Sequence, residues 1–145
     1  MTQGRKRLPD PGAVHDEAEI EAVVEVLRTT TLGIGANVAE VERRVAELLA
    51  RKHGVMVNSG SSALRLAVDL LDLEPGDEVI TPAVTFGTDV APLVHSGAVP
   101  AFVDVDTATY QVDAEAIEAM VSARTRAILV PNLVGNVPDW DRIRA

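Results

Sequence analysis

The first pattern along the chain is helical. Between residues 16 and 29, apolar side chains recur every three or four positions, which is typical of one face of an amphipathic helix. Two glycines between residues 30 and 36 end this helix. Asn37, with Glu40 three positions later, has the spacing of a capping box and predicts a second helix that runs to about residue 52. The two apolar stripes are formed by Ile20, Val23, Val24 and Leu27, and by Val41, Val45, Leu48 and Leu49.

From residue 55 onward, short apolar runs alternate with helical stretches. The apolar runs predict four strands, at residues 55–57, 78–80, 99–103 and 127–130. The stretches between them predict helices that follow residues 58–62, span about 88–95 and span about 114–121. Since such crossovers connect parallel strands, we predict an α/β fold with a mainly parallel sheet between two helical layers. Another helix only begins at residues 139–145, so we expect an incomplete domain.

Composition narrows the possible functions. The 145 residues are 47% hydrophobic and 24% charged, which predicts a soluble globular domain. Thirteen basic against 22 acidic residues give a net charge of −9, so we expect no nucleic-acid partner and no anionic membrane partner. No apolar run approaches the roughly 18 residues of a membrane span. The sequence has no cysteine, so we expect a cytoplasmic protein without disulfides, zinc thiolate sites or a thiol nucleophile.

One short segment predicts an anion site. Residues 58–62, with the sequence Asn-Ser-Gly-Ser-Ser, lie between the first predicted strand and the helix that follows it. Unpaired N–H groups and the positive end of the helix dipole meet at a helix start, so hydroxyls beside a glycine suit a phosphate group there. An ordinary serine-rich helix cap is the alternative interpretation. We expect no metal site, because His15, His53 and His95 lack the spacing of metal ligands.

Five segments, taken together, resemble a known family. They are residues 59–64 (SGSSAL), 75–82 (PGDEVITP), 85–86 (TF), 102–106 (FVDVD) and 132–136 (NLVGN). Their order and spacing are similar to those of the DegT/DnrJ/StrS-type sugar aminotransferases, which are pyridoxal-phosphate enzymes acting on nucleotide-linked keto sugars. The resemblance implies the large domain of the fold-type I aminotransferases. Residues 16–145 would be its amino-terminal part, behind an arm of residues 1–15, with the rest and a small carboxyl-terminal domain absent from this chain.

The resemblance also implies which residues bind the cofactor. The family's phosphate-cradling Ser-Gly-Thr segment falls on residues 59–61, so Gly60, Ser61 and the following Ser62 would hold the phosphate. Phe86 takes the position of the aromatic residue that stacks on the pyridine ring. Asn132 stands where many members have a histidine near the cofactor. The catalytic residues, including the lysine that holds the cofactor and the aspartate that pairs with the pyridine nitrogen, are expected beyond Ala145.

Three functions stay open from the sequence. The first is an aminotransferase that uses pyridoxal phosphate and a donor such as glutamate to aminate a nucleotide-linked keto sugar, working as a homodimer. The second is a sugar 3-dehydratase on the same scaffold, which uses pyridoxamine phosphate and has histidine in place of the lysine; residues 59–62, 88–92 and 132–136 resemble that branch. The third is a non-catalytic fragment or binding module. We expect the 145 residues alone to be inactive, with the apolar stripes of the first two helices uncovered.

Overall fold

The computed structural model describes residues 12–29 and 33–145. The chain divides into two compact units, Met1–Val55 and Met56–Ala145, which are described in turn. The elements in chain order are α1 (Glu17–Arg28), α2 (Ala36–Leu48), α3 (Gly60–Asp69), β1 (Glu78–Pro82), α4 (Gly87–His95), β2 (Val99–Val103), α5 (Ala114–Met120), β3 (Thr125–Ile128), a 3-10 turn (Leu133–Gly135) and α6 (Trp140–Ile143). Within the described residues, every helix is too short or too polar to cross a membrane.

Helix α1 begins at a reciprocal cap. The Asp16 side chain accepts a hydrogen bond from the Ala18 N–H at 2.9 Å, and the Glu19 side chain accepts one from the Asp16 N–H at 2.8 Å. These bonds satisfy backbone donors that a helix start leaves unpaired. The helix confirms the one predicted between residues 16 and 29. None of its residues is buried.

Helix α2 begins differently from the sequence prediction. Its N-terminal cap residue is Gly35, which offers no side-chain hydrogen bond. The Glu40 carboxylate accepts hydrogen bonds from Arg43 Nε at 2.8 Å and from Arg44 Nε at 2.6 Å. The capping box predicted at Asn37 is therefore wrong, because the helix begins before Asn37, and the Glu40 carboxylate binds the two arginines instead. The hydrogen bond from Arg43, which is the larger cause, and that from Arg44 lower the pKa of Glu40 to about 2.

The apolar stripes of α1 and α2 are uncovered within the described residues, as the sequence predicts. The exposed side chains are Ile20, Val23, Val24 and Leu27 in α1, Val41, Val45 and Leu48 in α2, and Leu49 just after it. Helix α2 is also shorter than expected. It ends at Leu48 rather than near residue 52, since Ala50 has a left-handed backbone with a φ of 50°.

The second unit is built on three parallel strands in the order β2-β1-β3. Val79 and Ile80 are neighbours in β1, so their side chains point to opposite faces of the sheet. Val79 packs with Val68 of α3 and Leu93 of α4. Ile80 lies in a second cluster with Ile117 of α5. Helices therefore cover both faces, which confirms the α/β class and the three-layer arrangement.

Two of the four predicted strands need correction. Residues 55–57 form no strand, because no strand among the described residues pairs with them, and Val55 is 75% exposed. The last strand is Thr125–Ile128 rather than 127–130, since its pairing with β1 already begins opposite Glu78. Strand β2 has the predicted bounds, and β1 extends the predicted run to Pro82. The short α6 confirms the helix start expected within residues 139–145.

A buried carboxylate closes the amino end of the sheet. Glu78, the first residue of β1, is 8% exposed. Its side chain accepts hydrogen bonds from Ser122 Oγ at 2.5 Å and from Arg124 Nε at 2.9 Å. The hydrogen bond from Ser122, which is the larger cause, and that from Arg124 hold the pKa of Glu78 below its usual value of 4.5. The carboxylate thereby ties β1 to the turn that precedes β3.

This bond network predicts acid sensitivity. The pKa of Glu78 is lower in the folded protein than in the unfolded chain. Its hydrogen bonds therefore stabilise the folded protein fully above pH 4.5, and this stabilisation is lost as the pH falls through the folded pKa. Thermal melting of the protein that carries this chain, measured at about pH 7 and about pH 3.5, should show a smaller acid-induced fall in Tm for Glu78→Gln than for the wild type. Glu118→Gln, an exposed change on α5, is the control. An equal acid-induced fall in Glu78→Gln and wild type would contradict the assignment.

Candidate functional site

The carboxyl ends of the three strands meet at one edge of the sheet. The strands are parallel, and their pairing continues to their ends: the Ala83 N–H donates to the Val103 carbonyl at 2.7 Å, and the Leu129 N–H donates to the Ile80 carbonyl at 2.8 Å. The segments that leave the sheet here carry predicted site residues. Phe86 follows β1, and Asn132 follows β3. In an α/β sheet this edge is where ligands bind.

Helices α3 and α4 begin at the same edge. Val68, near the end of α3, and Leu93, near the end of α4, both pack on Val79 close to the start of β1. The two helices therefore run opposite to the strands, and their N-termini lie towards the carboxyl ends of the strands. Ser61 in the first turn of α3 and Thr88 in the first turn of α4 line one groove of about 400 Å³. The predicted phosphate turn and Phe86 thus share this edge.

The phosphate turn is shaped by its own hydrogen bonds. Ser59 is the N-terminal cap of α3, and its Oγ accepts a bond from the Ser62 N–H at 3.1 Å. The Ser62 hydroxyl donates to Asn58 Oδ1 at 2.6 Å, and it accepts from the Ser59 hydroxyl at 3.1 Å. Both polar groups of Ser62 are thus engaged within the turn. Its contact with a ligand stays a prediction.

Gly60 and Ser61 present the available donors of this turn. Within the described residues, neither their backbone N–H groups nor the Ser61 hydroxyl has a hydrogen-bond partner. A Cβ atom built on Gly60 would meet nothing within 4 Å, so the space beside this residue is open. The first turn of α3 contains no acidic residue. Free donors, an open approach and the positive end of a helix dipole together suit an anion.

Phe86 lies at the start of α4 with its ring turned to solvent. It is the N-terminal cap residue of that helix, with an extended backbone, and it is 68% exposed. Within the described residues, the side chain of Phe86 is therefore not part of the hydrophobic core. The exposed ring lies at the same sheet edge as the predicted phosphate turn, and its stacking on a cofactor stays a prediction.

The segment around Asn132 is held by a neighbouring loop. Gln111, which is 6% exposed, donates from Nε2 to the Leu133 carbonyl at 3.2 Å, and Asn136 donates from Nδ2 to the Thr109 carbonyl at 2.9 Å. Asn132 itself is exposed at the end of the strand edge. These bonds fix the segment in which it lies.

The 102–106 segment ends in an Asp turn. Asp106 Oδ1 accepts bonds from the Thr109 N–H at 2.8 Å and from the Ala108 N–H at 3.0 Å. The Thr109 and Ala108 donors lower the pKa of Asp106 below its usual value of 3.8. No group of acidic or histidine side chains in the described part of the chain is arranged to hold a metal ion.

Comparison with known proteins identifies the family. The model of the DegT/DnrJ/EryC1/StrS aminotransferase family matches residues 13–145. The chain belongs to this family. It is 41% identical over 133 residues to the dTDP-4-dehydro-2,6-dideoxy-D-glucose 3-dehydratase of Saccharopolyspora spinosa, which covers 86% of the chain and 29% of that protein. It is 36% identical over 128 residues to the UDP-2-acetamido-2-deoxy-3-oxo-D-glucuronate aminotransferase of Pseudomonas aeruginosa, covering 88% of the chain and 36% of that protein.

A solved structure of the DegT family gives the same fold. The chain superposes on the GDP-4-keto-6-deoxy-D-mannose-3-dehydratase of Escherichia coli, solved with bound hydrated pyridoxal phosphate, with a TM-score of 0.85 and 35% identity. The match covers 92% of this chain and 36% of that chain. This confirms the resemblance and the fold type predicted from the five segments. The chain spans about a third of the length of its curated relatives, between 29% and 38%.

Two buried polar residues of the site were missed by the sequence interpretation. Asp89, in the first turn of α4, is 5% exposed, and Gln111 is 6% exposed. The signal for Asp89 was available: an acid in a first helical turn, four residues after Thr85, is well spaced to accept its hydroxyl bond. For Gln111 no local pattern existed, since its partner Leu133 is 22 residues away.

Proposed function

We propose that the chain is the amino-terminal part of a pyridoxal-phosphate-dependent aminotransferase acting on a nucleotide-linked keto sugar. Residues 16–145 would belong to the large domain, and the arm expected at residues 1–15 lies mostly outside the described residues. The observation that carries the proposal is the turn at Gly60 and Ser61, which offers free donors at the same edge as the exposed ring of Phe86. Membership of the DegT family supports the reaction class.

The described residues fit the cofactor's phosphate and ring. Gly60 and Ser61 would hold the phosphate through two N–H groups and a hydroxyl, with no carboxylate in the same turn to oppose it. Phe86 would contact the flat face of the ring, and Asn132 would approach it from the end of β3. When bound, pyridoxal phosphate supplies the electron sink and the carrier of the amino group. The residues that move protons are expected beyond Ala145.

The proposal also covers the substrates, the oligomeric state and the cellular location of the protein. We infer a donor such as glutamate, a nucleotide-sugar acceptor and a cytoplasmic homodimer. The uncovered apolar stripes of α1 and α2 support an assembly, because large exposed apolar surfaces favour association. The net charge of −9 argues against nucleic acid and anionic membranes as partners.

A second candidate function is sugar 3-dehydration on the same scaffold. Two observations favour it: the 41% identity to a 3-dehydratase and the Asn132 segment, which resembles that branch. The residue that separates the two reactions is a lysine or a histidine at the position that carries the cofactor. Borohydride treatment followed by peptide mass spectrometry distinguishes them, because only a lysine amine can be fixed covalently to the cofactor's aldehyde.

The proposed function is tested with the whole protein that carries this chain. The protein is incubated with pyridoxal phosphate or pyridoxamine phosphate, glutamate and a panel of nucleotide-linked keto sugars, and products are measured by mass spectrometry. An amino sugar supports transamination, and a deoxy sugar without added nitrogen supports the second candidate. A protein that binds neither form of the cofactor contradicts both.

Phe86 gives a separate test of the cofactor site. Because Phe86 is 68% exposed within the described residues, Phe86→Leu should leave the Tm of the cofactor-free protein nearly unchanged. Loss of the aromatic face should weaken binding of pyridoxal phosphate by about three- to tenfold, the equivalent of one aromatic contact. Binding is measured by equilibrium dialysis. Val134→Leu, at a residue that is 84% exposed, is the control for an exposed leucine near the sheet edge. Unchanged affinity in Phe86→Leu would contradict the stacking role.

A further inference from the structure

A buried carboxylate holds the segment that presents Phe86. Asp89 is 5% exposed, and its Oδ2 accepts a hydrogen bond from the Thr85 hydroxyl at 2.5 Å. The Asp89 backbone N–H donates to the Phe86 carbonyl at 2.9 Å. Asp89 is therefore hydrogen-bonded to both Thr85 and Phe86.

The carboxylate is costly to bury, so its partners matter. Within the described residues Asp89 forms no ion pair, and Thr85 is its side-chain partner. The N-terminal end of α4 adds a favourable dipole, since Asp89 lies in the first turn. Apolar side chains fill space in a core without any such desolvation cost. A carboxylate at this place is better explained by the bond to Thr85 than by packing.

The orientation of the Phe86 ring depends on the two hydrogen bonds that Asp89 makes with Thr85 and Phe86. The segment from Ala83 to Phe86 leaves the sheet after β1, and Phe86 makes no side-chain cap bond. With 68% of the residue exposed, little packing holds the ring. Its orientation is set by the backbone at Thr85 and Phe86, which Asp89 fixes from the buried side.

We propose that Asp89 is a positioning residue, which acts through Thr85 to aim the Phe86 ring at an aromatic cofactor ring bound at the carboxyl edge of the sheet. The inference rests on the proposed function and deepens it. It predicts that the Thr85 hydroxyl and the Phe86 ring are energetically coupled toward the cofactor, although Thr85 itself does not contact it.

The test compares isosteric changes at Thr85 in the whole protein, with pyridoxal phosphate as the probe. Thr85→Val keeps the shape and removes the bond, whereas Thr85→Ser keeps the hydroxyl. Two quantities are measured: the dissociation constant and the induced circular dichroism per bound cofactor, which reports a fixed ring orientation. We expect Thr85→Val to weaken binding by about three- to tenfold and to reduce the dichroism, in common with Phe86→Leu, and Thr85→Ser to restore both.

A double-mutant cycle separates positioning from simple stability. If Asp89 and Thr85 act through the ring, Thr85→Val should add no further loss of affinity once Phe86 is leucine. Thr81→Val is the matched control, since Thr81 is also buried and its hydroxyl has no partner among the described residues. That variant should keep affinity and dichroism.

Asp89→Asn provides a second variant, because its amide oxygen still accepts the Thr85 hydroxyl while the charge is removed. We expect it to keep most of the dichroism, whereas Asp89→Ala should lose it. Folded Thr85→Val and Asp89→Ala proteins with a lowered Tm but wild-type affinity and dichroism would overturn the inference and leave Asp89 as a helix cap only. Wild-type protein that binds no cofactor would instead overturn the proposed function as well.

Discussion

Replacing Gly54 with alanine should lower the free energy of unfolding by about 3 kcal/mol, near the upper end of the usual cost of overpacking. A Cβ at this residue would lie 2.3 Å from the Glu42 carbonyl oxygen and 3.0 Å from its carbonyl carbon. Real Cβ atoms do not approach other atoms so closely. The obstacle is the backbone of α2, so no flexible side chain can move aside, and the helix or the segment after it has to shift.

Gly33 provides the matched control for Gly54. A Cβ built there meets nothing within 4 Å, and its φ does not lie in the left-handed region. Gly33→Ala should therefore change stability by less than about 1 kcal/mol, with stabilisation the favoured direction because alanine restricts the unfolded chain. The stabilities of the two variants and the wild type are compared by thermal or urea unfolding. If Gly54→Ala melts with the control and the wild type, the close approach of Gly54 to α2 is contradicted.

Local patterns predicted those parts of the fold whose cause is local. Strand β2 and helix α4 lie where short apolar runs and helical periodicity predicted them, since burial of one face produces both patterns. Residues 55–57 have a strand-like composition but no strand partner in the described residues. Pairing is a long-range property, so an apolar run cannot reveal whether a neighbour exists.

The start of α2 shows an error of a different kind, since the N-terminal cap of the helix is Gly35 rather than Asn37. Asn37 and Glu40 have capping-box spacing, but Arg43 and Arg44 lie on the next turn of the same helix and take the carboxylate. Spacing rules treat one pair at a time and do not rank competing partners.

The candidate site was predictable in outline only. Anion chemistry at the start of a helix indicated the turn at residues 58–62, and the structure shows which of its groups are available. The Ser62 hydroxyl donates to Asn58, whereas the Ser61 hydroxyl has no partner within the described residues. Hydroxyl directions depend on the local backbone, which sequence composition does not specify. Of these two adjacent serines, Ser61 therefore gives the stronger test of the cofactor site.

Ser61→Asp should abolish cofactor retention while leaving the protein as stable as the wild type. A carboxylate in the first turn of α3 interacts favourably with the helix dipole, by about 0.3–1 kcal/mol, so folding is not impaired. The same charge opposes a phosphate dianion. At about 4 Å and an effective dielectric constant of about 20, each pair of unit charges costs about 4 kcal/mol. We therefore expect the dissociation constant of pyridoxal phosphate to rise at least about 100-fold, against about tenfold for Ser61→Ala, which loses one hydrogen bond.

The opposite effects on binding and stability make this variant decisive. Equilibrium dialysis is measured on the whole protein, and thermal melting on the same preparations without cofactor, because a bound cofactor would itself raise Tm. Ala119→Asp, on the exposed surface of α5, adds the same charge away from the turn and should retain wild-type affinity. If Ser61→Asp binds pyridoxal phosphate as tightly as Ala119→Asp does, the phosphate is held elsewhere, because no dianion sits beside a new carboxylate without a large loss of affinity. A fall in affinity confined to Ser61→Asp, with Tm maintained, locates the phosphate at the start of α3.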